Sequence, residues 1–167
     1  MKKPDKIIVL LLALLLVLTL TITFLILTKP QTPTYYRVER IIDGDTIVLE
    51  NKETVRYIGL DTPELHHPSI GEECGGKEAA NLNSKLLTGK RVRLISDVTD
   101  KDAYGRLLRY VFTEDGTFIN YEIIRQGYAQ TFNIPPNNLM TKTLTQAQLD
   151  AKKDNRGLWT TCYKPTK

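Results

Sequence analysis

Residues 56–64 place one arginine and two carboxylates around the end of a predicted strand. They read Arg-Tyr-Ile-Gly-Leu-Asp-Thr-Pro-Glu. Proline cannot donate a hydrogen bond to a β-ladder and keeps the preceding residue extended, so Pro63 is expected to end the strand. Asp61 and Glu64 then lie on a loop, where side chains held by a rigid scaffold commonly bind ligands. A strand that ends in a capped turn with a surface salt bridge is the alternative.

Arg56 and Asp61 fall on opposite faces of a regular strand, because side chains alternate from one residue to the next. The two can share a site only if the chain bulges or turns between them. Gly59 is the residue best suited to such a break.

A second acidic cluster, Asp43-Gly44-Asp45, and a second arginine, Arg106, have the chemistry to form one site with residues 56–64. Asp45 follows Asp43-Gly44, a turn signal in which Asp43 is predicted to form the turn rather than bind a ligand. Asp45 and Asp61, with a backbone carbonyl such as that of Thr62 and water, are donors that suit Ca²⁺ or Mg²⁺ rather than Zn²⁺.

The remaining polar groups fit the chemistry of phosphate esters. Glu64 could act as general base on a water molecule. Arg56 and Arg106 could each bind phosphate oxygens and stabilise the charge that develops in the transition state. Tyr104 is either an aromatic of the barrel rim or a residue that contacts the nucleotide. Together these groups predict phosphodiester hydrolysis.

The elements that must position these residues read as a small α+β domain. The first strands form an antiparallel meander, and the whole pattern favours a five-stranded OB-fold-like β-barrel with three flanking helices. Strands are predicted at 36–42, 46–50, 54–60, 91–95, 107–112 and 117–119, helices at 77–87, 120–126 with Asn120 as cap and 143–155, and irregular structure at 128–138.

The N-terminal part is different in kind. Residues 7–27 carry no charge, and a bilayer is crossed by about 20 helical residues. Lys2, Lys3 and Lys6 precede this run, which predicts a cytoplasmic N-terminus and an extracellular C-terminal domain. An uncleaved single-pass anchor in the cell membrane is expected, with a long cleaved signal and a secreted form as the alternative. The predicted organisation is an anchor at 1–28, a linker at 29–35, a monomeric domain at 36–162 and a tail at 163–167.

The net charge does not indicate a global nucleic-acid footprint. The chain of 167 residues has a net charge of +4, but lysines 2, 3, 6 and 29 against Asp5 account for three of these charges. Binding of a polyanion must therefore come from locally placed arginines and lysines.

Two cysteines occur, and Cys74 and Cys162 could pair in an extracellular domain. Two independent thiols are the alternative, and no suitable histidine spacing makes a zinc site. His66 and His67 are predicted to be loop residues rather than ligands.

Several short sequence blocks follow one another from about Tyr36 to Trp159. They are Ile42-Asp43-Gly44-Asp45-Thr46, Arg56, Asp61-Thr62-Pro63-Glu64, Tyr104-Gly105-Arg106, Arg125-Gln126-Gly127, Pro136-Asn137-Asn138 and Gly157-Leu158-Trp159. In these blocks and their order the chain resembles the staphylococcal nuclease (thermonuclease) family. The resemblance implies an OB-fold barrel with three helices and a Ca²⁺-dependent nuclease that cleaves DNA and RNA to 3′-phosphate products.

The resemblance also assigns roles. It implies that Asp45, Asp61 and the Thr62 carbonyl bind calcium and that Glu64 is the general base. It further implies that Arg56 and Arg106 bind phosphate and that Tyr104 contacts the nucleotide. These roles agree with those considered above from residue chemistry.

Three departures from the family pattern bear on substrate affinity and end preference. Ala103 replaces a lysine, Phe132 replaces a second nucleotide-contacting tyrosine, and the loop at 65–76 lacks the usual lysines. A membrane-tethered binding module of the same fold would lack some of the five acids and arginines, all of which are present here. An envelope protein that calcium merely stabilises is a third hypothesis.

Overall fold

The computed structural model describes residues 5–27, 33–65, 69 and 71–163. The chain divides into two compact units, Met1–Pro33 and Thr34–Lys167. The first contains one helix, α1 (Lys6–Leu27), none of whose residues is buried. This helix is long and apolar enough to cross a membrane, a property that it shares with signal sequences. The predicted apolar helix is thus present, and the residues that flank it at 1–4 and 28–32 lie outside the described part.

The second unit is built on a closed barrel with strand order β1-β2-β3-β6-β5. β4 pairs with β7 in a separate two-stranded sheet. The five-stranded barrel with three flanking helices confirms the predicted fold. The elements of this unit are β1 (Tyr36–Ile41), β2 (Thr46–Leu49), β3 (Thr54–Tyr57), β4 (Gly59–Asp61), α2 (Gly76–Leu87), β5 (Arg91–Ile95), β6 (Leu107–Thr113), α3 (Ile119–Arg125), β7 (Gln130–Phe132), α4 (Thr141–Lys153) and a 3-10 helix (Gly157–Trp159).

One continuous hydrophobic core joins the barrel to the helices. Barrel strands bury β-branched and aromatic side chains, and the helices add the apolar residues of one face. Burying such side chains is the main favourable term in folding. The core is formed by Ile47, Leu49, Val55, Tyr57, Leu87, Val92, Leu108, Tyr110, Val111, Ile119, Ile123, Ile124, Ala129, Leu144 and Ala147, among others.

The strand predicted at 54–60 is broken in two, and the break lies at the glycine expected from the sequence. Gly59 has φ +85°, a conformation that favours glycine. β3 stays in the barrel, whereas β4 leaves it and pairs with β7. Helix α4 packs on the break, since a Cβ at Gly59 would lie 2.4 Å from Cδ1 of Leu144.

The prediction that Asn120 caps a helix was wrong. Helix α3 begins at Ile119, with Phe118 at the N-cap position, and Asn120 is buried inside its first turn. The Asn120 amide donates to the Ile58 carbonyl at 2.9 Å, and its oxygen accepts from Val111 N. The side chain is therefore used to satisfy the backbone at the β3–β4 break.

Two other predictions of local structure were wrong. Residues 117–119 do not form a strand; Phe118 makes a single bridge to Phe112 before α3 starts. The segment 128–138 is not wholly irregular, because β7 lies within it. Both errors concern short pieces whose state depends on a distant partner.

The C-terminal segment is joined to the start of α2. Cys74 and Cys162 form a disulfide with a Cα–Cα distance of 5.7 Å. Beside it, Leu158 packs so closely on Gly75 that a Cβ there would lie 2.5 Å from Cδ2 of Leu158. The predicted tail lies outside the described residues from 164 onward.

Candidate active site

A buried arginine is the centre of the candidate site. Arg56, on β3, is only 8% exposed. Its guanidinium forms an ion pair with Asp45 and a second with Asp61, where Nη2 lies 2.6 Å from Oδ1. Nη1 also donates to the carbonyl of Leu60 at 3.2 Å. The turn at Gly59 allows these contacts, since it brings Asp61 back to the side of Arg56.

Asp45 is fixed by contacts from both neighbouring segments. Its carbonyl accepts a hydrogen bond from Tyr57 N at 2.9 Å. Its Oδ2 accepts from both the backbone N–H and the hydroxyl of Thr62, at 2.9 and 3.0 Å. The sequence-predicted residues Asp45, Arg56, Asp61 and Thr62 are thus brought together in one contact group.

A buried asparagine, which the sequence analysis missed, supports the turn that carries Asp45. Asn83 of α2 accepts from the Tyr57 hydroxyl and donates to the Asp43 carbonyl, both at 3.0 Å. A signal existed, because position 83 lies four residues after Ala79 and four before Leu87, on the apolar side of α2. A polar residue on such a face needs a partner when buried.

The turn also leaves no room for a larger residue at Gly44. A Cβ there would lie 2.7 Å from the Ala79 Cβ and 2.7 Å from the Thr62 Cγ2. Such distances are too short for unstrained carbon contacts. Close packing of this turn against the side chains of Ala79 and Thr62 therefore constrains the position of Asp45.

Glu64 lies at the exposed edge of the group and is held through its backbone. Its N–H donates to Oε2 of Glu73 at 3.0 Å, and Glu73 N donates to the Glu64 carbonyl at 2.9 Å. The sequence analysis did not single out Glu73. No local pattern marks it, because its contact is with Glu64, nine residues earlier in the chain.

The site carries more negative than positive charge. Burial raises the pKa of Asp45, Asp61 and Glu64, and Arg56 opposes this rise in each case. Asp43 adds to the rise at Asp45, and Glu73 to that at Asp61 and Glu64. In the part of the chain that the structure describes, Arg56 is the cation that opposes these carboxylates.

Arg106 and Tyr104 form a second group on a turn before β6. The Asp102 carboxylate accepts from the Arg106 Nε at 2.7 Å and from the backbone N–H groups of Arg106 and Tyr104. The Arg106 guanidinium carbon lies 5.4 Å from the centre of the Tyr104 ring, and Tyr104 is 86% exposed. These residues contact each other rather than the Arg56 group.

The two arginines nevertheless lie on neighbouring strands. β3 and β6 pair in parallel, with Val55 opposite Leu107 and Arg56 opposite Leu108. Arg106 immediately precedes Leu107, so it stands two residues away from the partner of Arg56. The register therefore places the two arginines near each other along adjacent strands.

The donor set fits a hard divalent cation, although the carboxylates are few. Among the described residues, no group of three or more His, Cys, Asp or Glu side chains is placed to hold a metal ion. Asp45 and Asp61 are two carboxylates that share one arginine. The excess of negative charge around them favours a cation, and carboxylate oxygens with carbonyls and water suit Ca²⁺ or Mg²⁺.

Comparison with known proteins identifies the family. Residues 54–161 match the family described as Staphylococcal nuclease homologue. The thermonuclease of Staphylococcus intermedius is 42% identical over 127 residues, which cover 74% of this chain and 75% of that protein.

This chain belongs to the staphylococcal nuclease family. The thermonuclease of Staphylococcus hyicus is 37% identical over the same share of each chain. Endonuclease YncB of Bacillus subtilis (strain 168) is 37% identical over 129 residues, which cover 73% of this chain and 60% of that protein. The resemblance stated from the sequence motifs is thereby confirmed.

The other residues discussed from the sequence can be placed only in part. His66 and His67 lie outside the described residues, as do Pro68 and Ile70 of the altered loop. Ala103 lies on the turn between Asp102 and Tyr104. Phe132 is 50% exposed and lines a cleft next to Asp61 and Thr62.

Proposed function

We propose that this chain is a nuclease that hydrolyses the phosphodiester bonds of DNA and RNA in a Ca²⁺-dependent reaction with 3′-phosphate products. The observation that carries the proposal is the buried Arg56 held between Asp45 and Asp61, with Glu64 three residues further on. Membership of the staphylococcal nuclease family supports phosphodiester hydrolysis as the reaction.

Asp45, Asp61 and the carbonyl of Thr62 would hold the calcium ion. When bound, it offsets the excess negative charge of the site and polarises oxygens of the phosphate or of water. The Thr62 hydroxyl and N–H are already used to hold Asp45, so Thr62 both orients one carboxylate and offers its carbonyl.

Four side chains carry out the other steps of the proposed reaction. Glu64 accepts a proton from the attacking water, whose oxygen forms the new bond to phosphorus. Arg56 and Arg106 bind the non-bridging phosphate oxygens and stabilise the added negative charge. The bond from phosphorus to the 5′ oxygen breaks, that oxygen takes up a proton, and the phosphate stays on the 3′ side. Tyr104, exposed beside Arg106, contacts the nucleotide.

The apolar helix suggests where this happens. We propose that residues 7–27 anchor the chain in the cell membrane and that the predicted domain at 36–162 is extracellular and monomeric. A cleaved signal would instead release a secreted enzyme. Fractionation of cells with an antibody to the domain distinguishes the two, because an uncleaved anchor keeps the full-length chain in the membrane fraction.

The activity is tested with the full-length chain in detergent. Single- and double-stranded DNA and RNA are incubated with Ca²⁺ or with a chelator, and the product ends are analysed. We expect cleavage that requires Ca²⁺ and leaves 3′-phosphates. Glu64→Gln should lower kcat by about 10²–10⁴, the usual effect of removing a general base.

Glu114→Gln is the matched control. Glu114 is an exposed glutamate that pairs with Arg91 on the surface, and its replacement should leave kcat unchanged. A folded wild-type protein that binds DNA with Ca²⁺ present but does not cleave it would favour the binding-module function instead. Unchanged activity in Glu64→Gln would reject Glu64 as the base.

A further inference from the structure

The backbone of Glu64 is held by the segment that precedes α2. Glu64 N–H donates to the Glu73 carboxylate, and Glu73 N–H donates to the Glu64 carbonyl. At Gly76, an added Cβ would lie 2.5 Å from that same carbonyl oxygen. Residues 73–76 therefore constrain where the Glu64 backbone lies.

This segment is covalently linked to the C-terminal part of the domain around Leu158. Cys74, next to Glu73, is bonded to Cys162. The Cys162 N–H donates to the Leu158 carbonyl at 2.8 Å, and Leu158 N donates to the Gly127 carbonyl at 3.0 Å. Leu158 is 3% exposed. The disulfide thus connects Glu73 to the end of α3 through buried contacts.

The cysteines flank residues of the cleft beside the site. Glu73 and Tyr163 both line this cleft, together with Asp61 and Thr62, and its volume is about 240 Å³. Tyr163 follows Cys162 and packs on Trp159, with the ring centres 4.6 Å apart. The covalent bond therefore acts on the wall of the cleft, not only on the chain's end.

We propose that Glu73 is a positioning residue for Glu64, and that the Cys74–Cys162 disulfide keeps Glu73 in place for this role. The inference rests on the proposed function, because the position of Glu64 matters only if its carboxylate acts on the attacking water. A shift of about 1 Å in a reacting group can cost about 10²-fold in rate. We expect substrate binding by Arg56 and Arg106 to be independent of these contacts.

A double-mutant cycle on the full-length chain in detergent tests the inference. kcat and KM for DNA with Ca²⁺ are measured for wild type, Glu73→Ala, the pair Cys74→Ser and Cys162→Ser, and all three substitutions together. We expect kcat to fall about tenfold or more in Glu73→Ala and in the cysteine pair, with KM changed by less than about threefold. The triple variant should be no slower than the slower of the two, since effects through one contact are not additive.

Two glutamate variants separate positioning from charge. Glu73→Gln keeps an oxygen that can accept from Glu64 N–H, so it should restore most of the kcat lost in Glu73→Ala. Glu78→Ala removes an exposed glutamate from the first turn of α2 and should have no effect. If Glu73→Gln is as slow as Glu73→Ala, the hydrogen-bond role is rejected.

A structural role for the disulfide gives a different pattern. Val92→Ala removes buried volume from β5, away from the cleft residues, and should lower the melting temperature while kcat stays unchanged at 25 °C. If the cysteine pair behaves like Val92→Ala, or if its effect multiplies with that of Glu73→Ala, the inference is overturned. Should the cysteine pair fail to fold, reduction of the native disulfide, with thiols counted by mass spectrometry, provides the same comparison.

Failure of the proposed function gives a separate result. In that case the wild type itself does not cleave DNA, although its disulfide is intact and Ca²⁺ is present. An active wild type whose kcat is insensitive to Glu73→Ala overturns the inference and leaves the nuclease proposal standing.

Discussion

The two arginines of the site are held in opposite ways. Arg56 is buried between two carboxylates, and its neighbours are tied together by Thr62, Tyr57 and Asn83. Arg106 is partly exposed on a turn and pairs with Asp102 and the exposed Tyr104. Arg56 is therefore part of the buried interior, whereas Arg106 is a surface residue.

Two arginines with the same proposed role, phosphate binding, are therefore expected to differ in how much they contribute to the stability of the fold. Removing one partner of a buried ion pair leaves a charge without compensation and costs about 3–5 kcal/mol, whereas exposed pairs are worth about 0–1 kcal/mol. Arg56 contributes to stability and to the proposed chemistry at once. Arg106 can serve the chemistry alone.

The largest expected effect comes from replacing each arginine by leucine. Arg56→Leu should lower the free energy of unfolding by about 3–5 kcal/mol, because Asp45 stays buried without its partner. Arg106→Leu should lower it by about 1 kcal/mol or less. Both should lower kcat/KM by about 10³–10⁵. Urea denaturation and kinetics on the same samples give the two numbers.

Equal losses of stability in the two variants would contradict the comparison. Arg91→Leu is the control, since Arg91 pairs with Glu114 at the surface and has no part in the site. It should change the free energy of unfolding by no more than about 1 kcal/mol and leave kcat/KM unchanged.

A second, smaller effect is expected on the pH dependence of stability. Burial raises the pKa of Asp45 to about 6, against about 3.9 in the unfolded chain. The folded state therefore holds the proton more tightly between these values. In chelator, stability should fall by up to about 3 kcal/mol as pH rises from about 4 to 6, since each pKa unit is worth about 1.4 kcal/mol.

The Arg106 group should show the reverse sign. Desolvation of Asp102 is outweighed by hydrogen bonds from Arg106, which lower the pKa of Asp102. Its stabilisation is present above about pH 4 and is lost as pH falls below that value. Asp45→Asn should remove most of the decline between pH 4 and 6, and Asp102→Asn should leave it unchanged. Thermal melts at each pH measure both, and a decline that survives Asp45→Asn would exclude Asp45 as its main source.

The smallest effect is expected from Asp102→Asn on catalysis. Asparagine retains an oxygen for the backbone N–H groups of Tyr104 and Arg106 but loses the charge that orients the guanidinium. We expect kcat to fall about tenfold, at the lower end of what loss of an orienting partner costs, with stability within about 1 kcal/mol of wild type. Steady-state kinetics measure the change. A loss as large as that of Arg106→Leu would mean that the turn itself depends on the charge.

Much of the fold could be predicted from local signals. Hydrophobic alternation marked the barrel strands, and Gly59 marked the break that lets Arg56 meet Asp61, because few other residues adopt its φ. The candidate residues were chosen by chemical type, and the structure brings Asp45, Arg56, Asp61 and Thr62 into contact. Their catalytic and metal-binding roles remain predictions.

The supporting residues could not be predicted in the same way. Asn120 looked like a helix cap, but its amide bonds to Ile58, which is distant in the sequence. β7 is three residues long and exists because β4 pairs with it. Glu73 accepts a hydrogen bond from Glu64, nine residues earlier in the chain. In each case a tertiary partner decides the outcome, and the local sequence carries no information about that partner.

The parallel pairing of β3 and β6 has a consequence for how activity arises during folding. β4, α2 and β5 lie between these two strands in the sequence, so their contact is non-local and its loop-closure entropy must be overcome late. Under the proposed function, Arg56 and Arg106 act on one phosphate, so cleavage should require this contact. The appearance of cleavage after dilution from denaturant should therefore follow the closing of the barrel rather than the earlier formation of the β1–β3 meander. Cleavage activity would then report when the β3–β6 contact forms during folding.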